Sequence, residues 1–126
     1  ACLRALAANR VLCLLSDRVV GDVPGVEAQL FGAPTRLPAG PATLALRTGA
    51  PLLPAAVYFG SRTDEHRAVV RPPLTLRRAG RLLEAVAAGT QLLAGELEDL
   101  VRRAPTQWHL MQPQWPGDDA VAATAR

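Results

Sequence analysis

The chain predicts an α/β fold, a mixed sheet with flanking helices, on three observations. VLCLL, residues 11 to 15, is an apolar run of strand length without polar alternation, as a strand covered on both faces requires. VEAQLFG, residues 26 to 32, alternates apolar and polar side chains, the period of a strand with two different faces. From Gly80 to Arg103 the residues Leu82, Leu83, Val86, Leu93, Leu97, Leu100 and Val101 recur at three and four, the spacing of an amphipathic helix.

The opening ACLRALAANR lacks an initiator Met, a basic lead into a long apolar stretch and a cleavage-site pattern. It reads as the end of a helix entered from upstream, so the chain is expected to be a piece of something longer. VLCLL then runs into SDR, residues 16 to 18, where polar side chains emerge at the C-terminal end of the expected strand, an edge that often carries chemistry in α/β folds. GDVPG, residues 21 to 25, is a turn-rich loop. In the strand that follows, Val26, Ala28 and Leu30 share one face and Glu27, Gln29 and Phe31 the other.

GPATLALRTG, residues 40 to 49, places Gly and Pro at a helix entrance and Gly49 at its stop. PLLPAAVYF, residues 51 to 59, resumes an apolar strand, so strand, helix and strand follow as in a right-handed crossover. RAVVRPPLTL, residues 67 to 76, is a further strand whose paired prolines put it at an edge or at its own end. In the long helix, Glu98 with Arg102 and Asp99 with Arg103 form i,i+4 pairs, and Pro105 marks the stop. The order is β-α-β-β-α, with residues 1–116 as one unit and 117–126 as a disordered tail.

With 49% hydrophobic and 20% charged residues, 126 residues suit one domain, and 11 prolines with 10 glycines imply short elements and many turns. All fourteen basic residues are arginine and Asn9 is the sole asparagine, a bias expected of a GC-rich bacterial genome. A net charge of +3 on scattered arginines, without interleaved aromatics, argues against nucleic acid and leaves a mildly basic face toward anionic lipid open. Cys2 and Cys13 lie among apolar residues without a CxxC spacing and are expected to be buried free thiols. No run approaches the roughly 20 apolar residues of a membrane span, so membrane contact by this chain is expected to be peripheral.

No P-loop, GxGxxG after a strand, HExxH, GxSxG or paired-cysteine metal site occurs, and no metal is expected. An α/β nucleotide-binding module would need a glycine-rich phosphate loop opening a helix. SDRVVGDVPG has no helix after it.

What remains is a set of four stretches: SDR, then GVEAQLFG, then GPATLALRTGAPLLP, then PTQWHLMQPQWP. In that order they resemble the C-terminal part of the bacterial lysophospholipid acyltransferase group, which includes the lipid A lauroyl acyltransferases and, more closely, the phosphatidylinositol mannoside acyltransferases of actinobacteria. The resemblance runs over about residues 4 to 116. It implies a partial glycerolipid-acyltransferase-like fold and transfer of a fatty acyl chain from a thioester to a sugar hydroxyl, with acyl-CoA or acyl-carrier protein as co-substrate and no cofactor. It also implies a glycolipid acceptor and a peripheral position on the cytoplasmic face of the plasma membrane. A lipid A-type acceptor, or a non-catalytic interaction domain that keeps the fold, are the alternatives.

In that group a histidine of a His-x-x-x-x-Asp motif is the general base. Here His66 is followed five residues later by Arg71 and His109 by Gln114, so the pair is absent and the chain alone is expected to be inactive. Glu27 matches the acidic residue of the group's V-x-V-x-F-F-G strand and is the candidate catalytic residue. Asp17 and Arg18 match its A/S-D-R, and these two with Arg36 are the candidate substrate-binding residues; Arg47 is a further candidate phosphate contact. Trp108, Met111 and Trp115 are expected to close the core, with His109 and Gln112 in buried hydrogen bonds. The alternative for the tryptophans is a lipid groove or membrane interface.

Overall fold

In the computed structural model, which describes residues 1–118, the chain orders as α1 (Cys2–Ala7), β1 (Gly25–Leu30), β2 (Ala33–Pro38), α2 (Gly40–Thr48), β3 (Ala55–Phe59), β4 (His66–Val70) and α3 (Leu82–Arg102). Most of the expected tail lies outside the described residues.

The α/β mixture is as predicted, but the single mixed sheet is not. Among the described residues β1 pairs only with β2 and β3 only with β4, both antiparallel, and the expected crossover between 26–32 and 51–59 forms no ladder. The reason is local. Phe31 and Gly32, at φ 53° and 76°, form a two-residue turn of the kind that folds a strand straight back on itself, so β1 takes the next segment as its partner. That partner, APTRLP, escapes sequence reading because Pro34 and Pro38 depress strand propensity. Prolines are tolerated on an edge strand, where a missing N–H faces away from the ladder.

Within β1 the predicted alternation holds: Ala28 and Leu30 are buried while Glu27 and Gln29 are exposed. It stops at Phe31, which leaves the polar face and packs into the core. A bulky residue at positive φ is a steric outlier. Here the ring lies 5.7 Å from Trp108, the Arg102 guanidinium sits 5.4 Å from its centroid, and its backbone N–H donates to Glu98 Oε1 at 2.8 Å. Those contacts offset the strain.

VLCLL forms no strand. Val11 is 89% and Leu15 85% exposed, and the run is extended without a ladder partner among the described residues. Cys13 lies in it and is exposed, as is Cys2 on α1, which buries none of its residues. Both thiols are free as expected, but neither is buried.

The helices follow the sequence closely. Pro41 lies in the first turn of α2, and Gly49 ends it at φ 74°, its N–H donating to the Ala45 carbonyl at 2.8 Å. Helix α3 packs along β1 and against α2. At the α2 crossing Gly89 keeps the approach close, since a Cβ there would stand 3.3 Å from Ala42 Cβ and 3.1 Å from a Leu76 methyl, and both would have to give by a few tenths of an ångström. The predicted Glu98–Arg102 pair forms at 2.7 Å. Asp99 instead pairs with Arg102 at 3.3 Å and lies 4.0 Å from Arg71.

Two glutamines finish strand edges. The Gln91 amide accepts from Gln29 N–H at 2.8 Å and donates to Gln29 C=O at 3.0 Å. Gln107 does the same for Phe59, at 2.8 and 3.2 Å. Each amide takes the place of a neighbouring strand for one residue, which satisfies backbone groups that otherwise need a partner.

Candidate functional site

The polar face of β1 forms one wall of an open cleft of about 720 Å³. Strand β2 continues that wall. Register sets Glu27 directly opposite Arg36, and both side chains are exposed and line the cleft. Arg36 anchors by donating to the Gly25 carbonyl at 3.0 Å. Gln29 lies one strand period from Glu27, and Gln91 of α3 stands beside it.

The opposite wall is QPQWP, residues 112 to 116. Its place is fixed from behind. The Trp108 indole N–H donates to Asp17 Oδ2 at 2.9 Å, Gln112 donates to the Val19 carbonyl at 2.7 Å and Gln114 to the Asp17 carbonyl at 3.3 Å. Thr35, buried in β2, donates to the Gln114 carbonyl at 2.6 Å. At the far end the Asp118 carboxylate accepts the backbone N–H groups of Gln114 and Trp115, both at 2.9 Å, and these bonds hold it below the ordinary carboxylate range.

Asp17 and Arg18 are paired with each other, and both are about one-fifth exposed. Burial pushes the Asp17 carboxyl up, but the hydrogen bonds from Arg18 and Trp108, with the Arg18 charge, outweigh it and hold the group below its ordinary value. The structure therefore gathers Glu27 and Arg36 in the cleft and keeps the Asp17–Arg18 pair behind its rim, tied to it through Gln112 and Gln114. Arg47 is exposed in the last turn of α2 and does not line the cleft.

The tryptophans pack as expected: Trp108 and Trp115 meet edge to face at 6.2 Å and cover the core of Ala28, Leu30, Leu37 and Ala94. Gln112 is hydrogen-bonded, as predicted. Met111 and His109 correct the expectation, since Met111 is 90% exposed and His109 is exposed too. After Pro105–Gln107 the segment is an extended loop with no helical or strand period, so neighbours in sequence point different ways.

Sequence reasoning missed Gln29, Gln91, Gln114 and Trp115 as cleft residues. Trp115 also carries a buried indole N–H without an acceptor. The one available signal was Gln29 at strand period from Glu27. The Gln29 amide, the Glu27 carboxylate and the Arg36 guanidinium, all exposed in one open cleft, can exchange hydrogen bonds with a polyhydroxylated ligand. Among the described residues no group of acidic, histidine or cysteine side chains is suited to a metal ion, and no helix is long and apolar enough to cross a membrane.

Residues 1–116 match the model of a family described as bacterial lipid A biosynthesis acyltransferase. Proteins of two Mycobacterium tuberculosis strains, CDC 1551 / Oshkosh and H37Rv, each named phosphatidylinositol mannoside acyltransferase, are 42% identical over 110 residues, 87% of this chain and 32% of the relative. A Mycolicibacterium smegmatis protein of the same name is 38% identical over 121 residues, 96% of this chain and 37% of the relative. The chain thus spans about a third of the length of these curated relatives.

Proposed function

The chain belongs to the bacterial lipid A biosynthesis acyltransferase family, and from that premise we propose that, within a longer protein, it helps move a fatty acyl chain from an acyl thioester to a sugar hydroxyl of a phosphatidylinositol mannoside. The name shared by its mycobacterial relatives supports this acceptor. The observation that carries the reading is Glu27, exposed on a two-faced strand, opposite Arg36 and beside Gln29, in a cleft open enough for a sugar headgroup.

In such a transfer the acceptor hydroxyl gives its proton to a base while its oxygen bonds to the thioester carbonyl carbon. The tetrahedral intermediate then expels the thiolate, which takes up a proton. This chain has no His-x-x-x-x-Asp, so its part is holding the acceptor. The Glu27 carboxylate accepts a hydrogen bond from a sugar hydroxyl and orients the ring, the cleft amides take further hydroxyls, and Arg36 faces the headgroup phosphate. Asp17 and Arg18 keep the rim in place. The donor is acyl-CoA or acyl-carrier protein, no cofactor is needed, and the work is done peripherally at the cytoplasmic face of the plasma membrane.

The test is a chimera in which this chain replaces the matching segment of the M. smegmatis relative. Initial rates are followed with an acyl-CoA and phosphatidylinositol mannoside. Glu27→Gln, with its melting temperature unchanged, is expected to lower kcat/KM about 10- to 100-fold, the worth of a hydrogen bond to a charged group. An unchanged rate would remove Glu27 from the site. The family description favours one rival, a lipid A-type acceptor; faster transfer to a lipid A precursor than to the mannoside would establish it.

A further inference from the structure

The β3–β4 pair is apolar on the side that faces nothing. Its inner face is engaged, with Tyr58 Oη donating to the Leu100 carbonyl of α3 at 2.7 Å and Arg71, just past β4, paired with Glu96 at 2.7 Å. Register puts Ala55 opposite Val70, Val57 opposite Ala68 and Phe59 opposite His66 on the other face, and Leu53 continues it by strand parity. Val57 is 66%, Phe59 58% and Val70 61% exposed. An antiparallel sheet with one solvated face normally shows alternation, apolar inward and polar outward. This one carries apolar residues outward along both strands except at His66, close to the pattern of a sheet covered on both sides, and contiguous exposed apolar patches of this kind mark a contact surface.

We propose that this face is the docking surface for the remainder of the longer acyltransferase, the part of the relatives' length that this chain does not span. The chain accounts for 32 to 37% of those relatives, so about two-thirds of such a protein is available to cover it. Charge argues against a lipid surface as the occupant. The face carries no arginine and His66 is its one titratable side chain; the exposed Arg67 of β4 lies on the opposite face, and the loop at the end holds Arg62 beside Asp64 and Glu65, whereas faces that bind anionic lipid are rimmed with several cations. The inference is independent of what the cleft binds.

Single cysteines placed in the Cys2→Ser/Cys13→Ser background test it by the rate of maleimide labelling, in this chain and in the M. smegmatis chimera. Val57→Cys is expected to label freely in the chain and at least roughly tenfold more slowly in the chimera. Arg62→Cys, in the loop, is expected to label alike in both, and Ala56→Cys, on the inner face, to stay slow in both, which reports an intact hairpin. Equal labelling of Val57→Cys in the two proteins overturns the proposal. So does protection in the isolated chain that grows with its concentration, which would assign the face to a second copy, or protection that appears only with vesicles. A second reading needs no folded chimera: this chain and the remainder of the relative, co-expressed separately, are expected to copurify, and the Val57→Asp/Phe59→Asp chain is not. Copurification that survives those two substitutions also overturns it.

Discussion

Asp17 shows how one side chain holds a site without entering it. Its folded-state pKa lies below the ordinary value of 3.8, so the stability it contributes is present above that value and is lost as pH falls through the folded one. Trp108→Phe keeps the ring and removes the N–H. The expected result is an Asp17 carboxyl that titrates higher by NMR, an acid-unfolding limb displaced to higher pH, and a loss of about 1–2 kcal/mol at neutral pH. An unmoved Asp17 titration would mean that Arg18 alone sets it. Phe31 is the second such residue. Phe31→Asn suits the positive φ better but gives up the contacts with Trp108 and Arg102, and is expected to cost about 1–3 kcal/mol in a denaturant titration. A more stable variant would show that backbone strain outweighs the packing.

Helix α3 gives a paired test at the scale of elements. Gly95 has open space where a Cβ would go, whereas Gly89 meets Ala42 and Leu76. Gly95→Ala is therefore expected to stabilise by about 0.5–1 kcal/mol, and Gly89→Val to destabilise by about 1–3 kcal/mol, both read by thermal unfolding. Equal effects would mean that the α2–α3 crossing is looser than its geometry. The helices were legible because 3.6-residue periodicity and their stop signals at Gly49 and Pro105 are local. Glu27 was legible as well, since a strand that alternates declares its exposed face. The sheet was not. Whether β1 pairs with the next segment or with one beyond a helix depends on a turn at Phe31–Gly32, where Phe is an improbable occupant, and on a proline-bearing partner. VLCLL misled for a related reason: an apolar run shows that a strand would need cover on both sides, not that the cover is present. The cleft wall at residues 112 to 116 depends on contacts with residues 17 to 19 more than ninety positions away, and no sequence period encodes those.

At the scale of the whole molecule, the chain divides into a polar cleft and apolar surfaces without cover. The cleft is walled by β1, β2 and residues 112 to 116, and the chain spans about a third of its relatives. The central claim concerns the cleft, and binding tests it without requiring turnover. The measurement is a fluorescence titration of this chain, in which Trp115 lines the cleft and Trp108 packs against Trp115, with the water-soluble headgroup of a phosphatidylinositol mannoside freed of its acyl chains. Saturable binding is expected, weakened about tenfold or more by Glu27→Gln and unaffected by Arg62→Gln in the distant loop. Absence of saturation, or equal affinity in Glu27→Gln, would contradict the assignment of this cleft to the sugar acceptor.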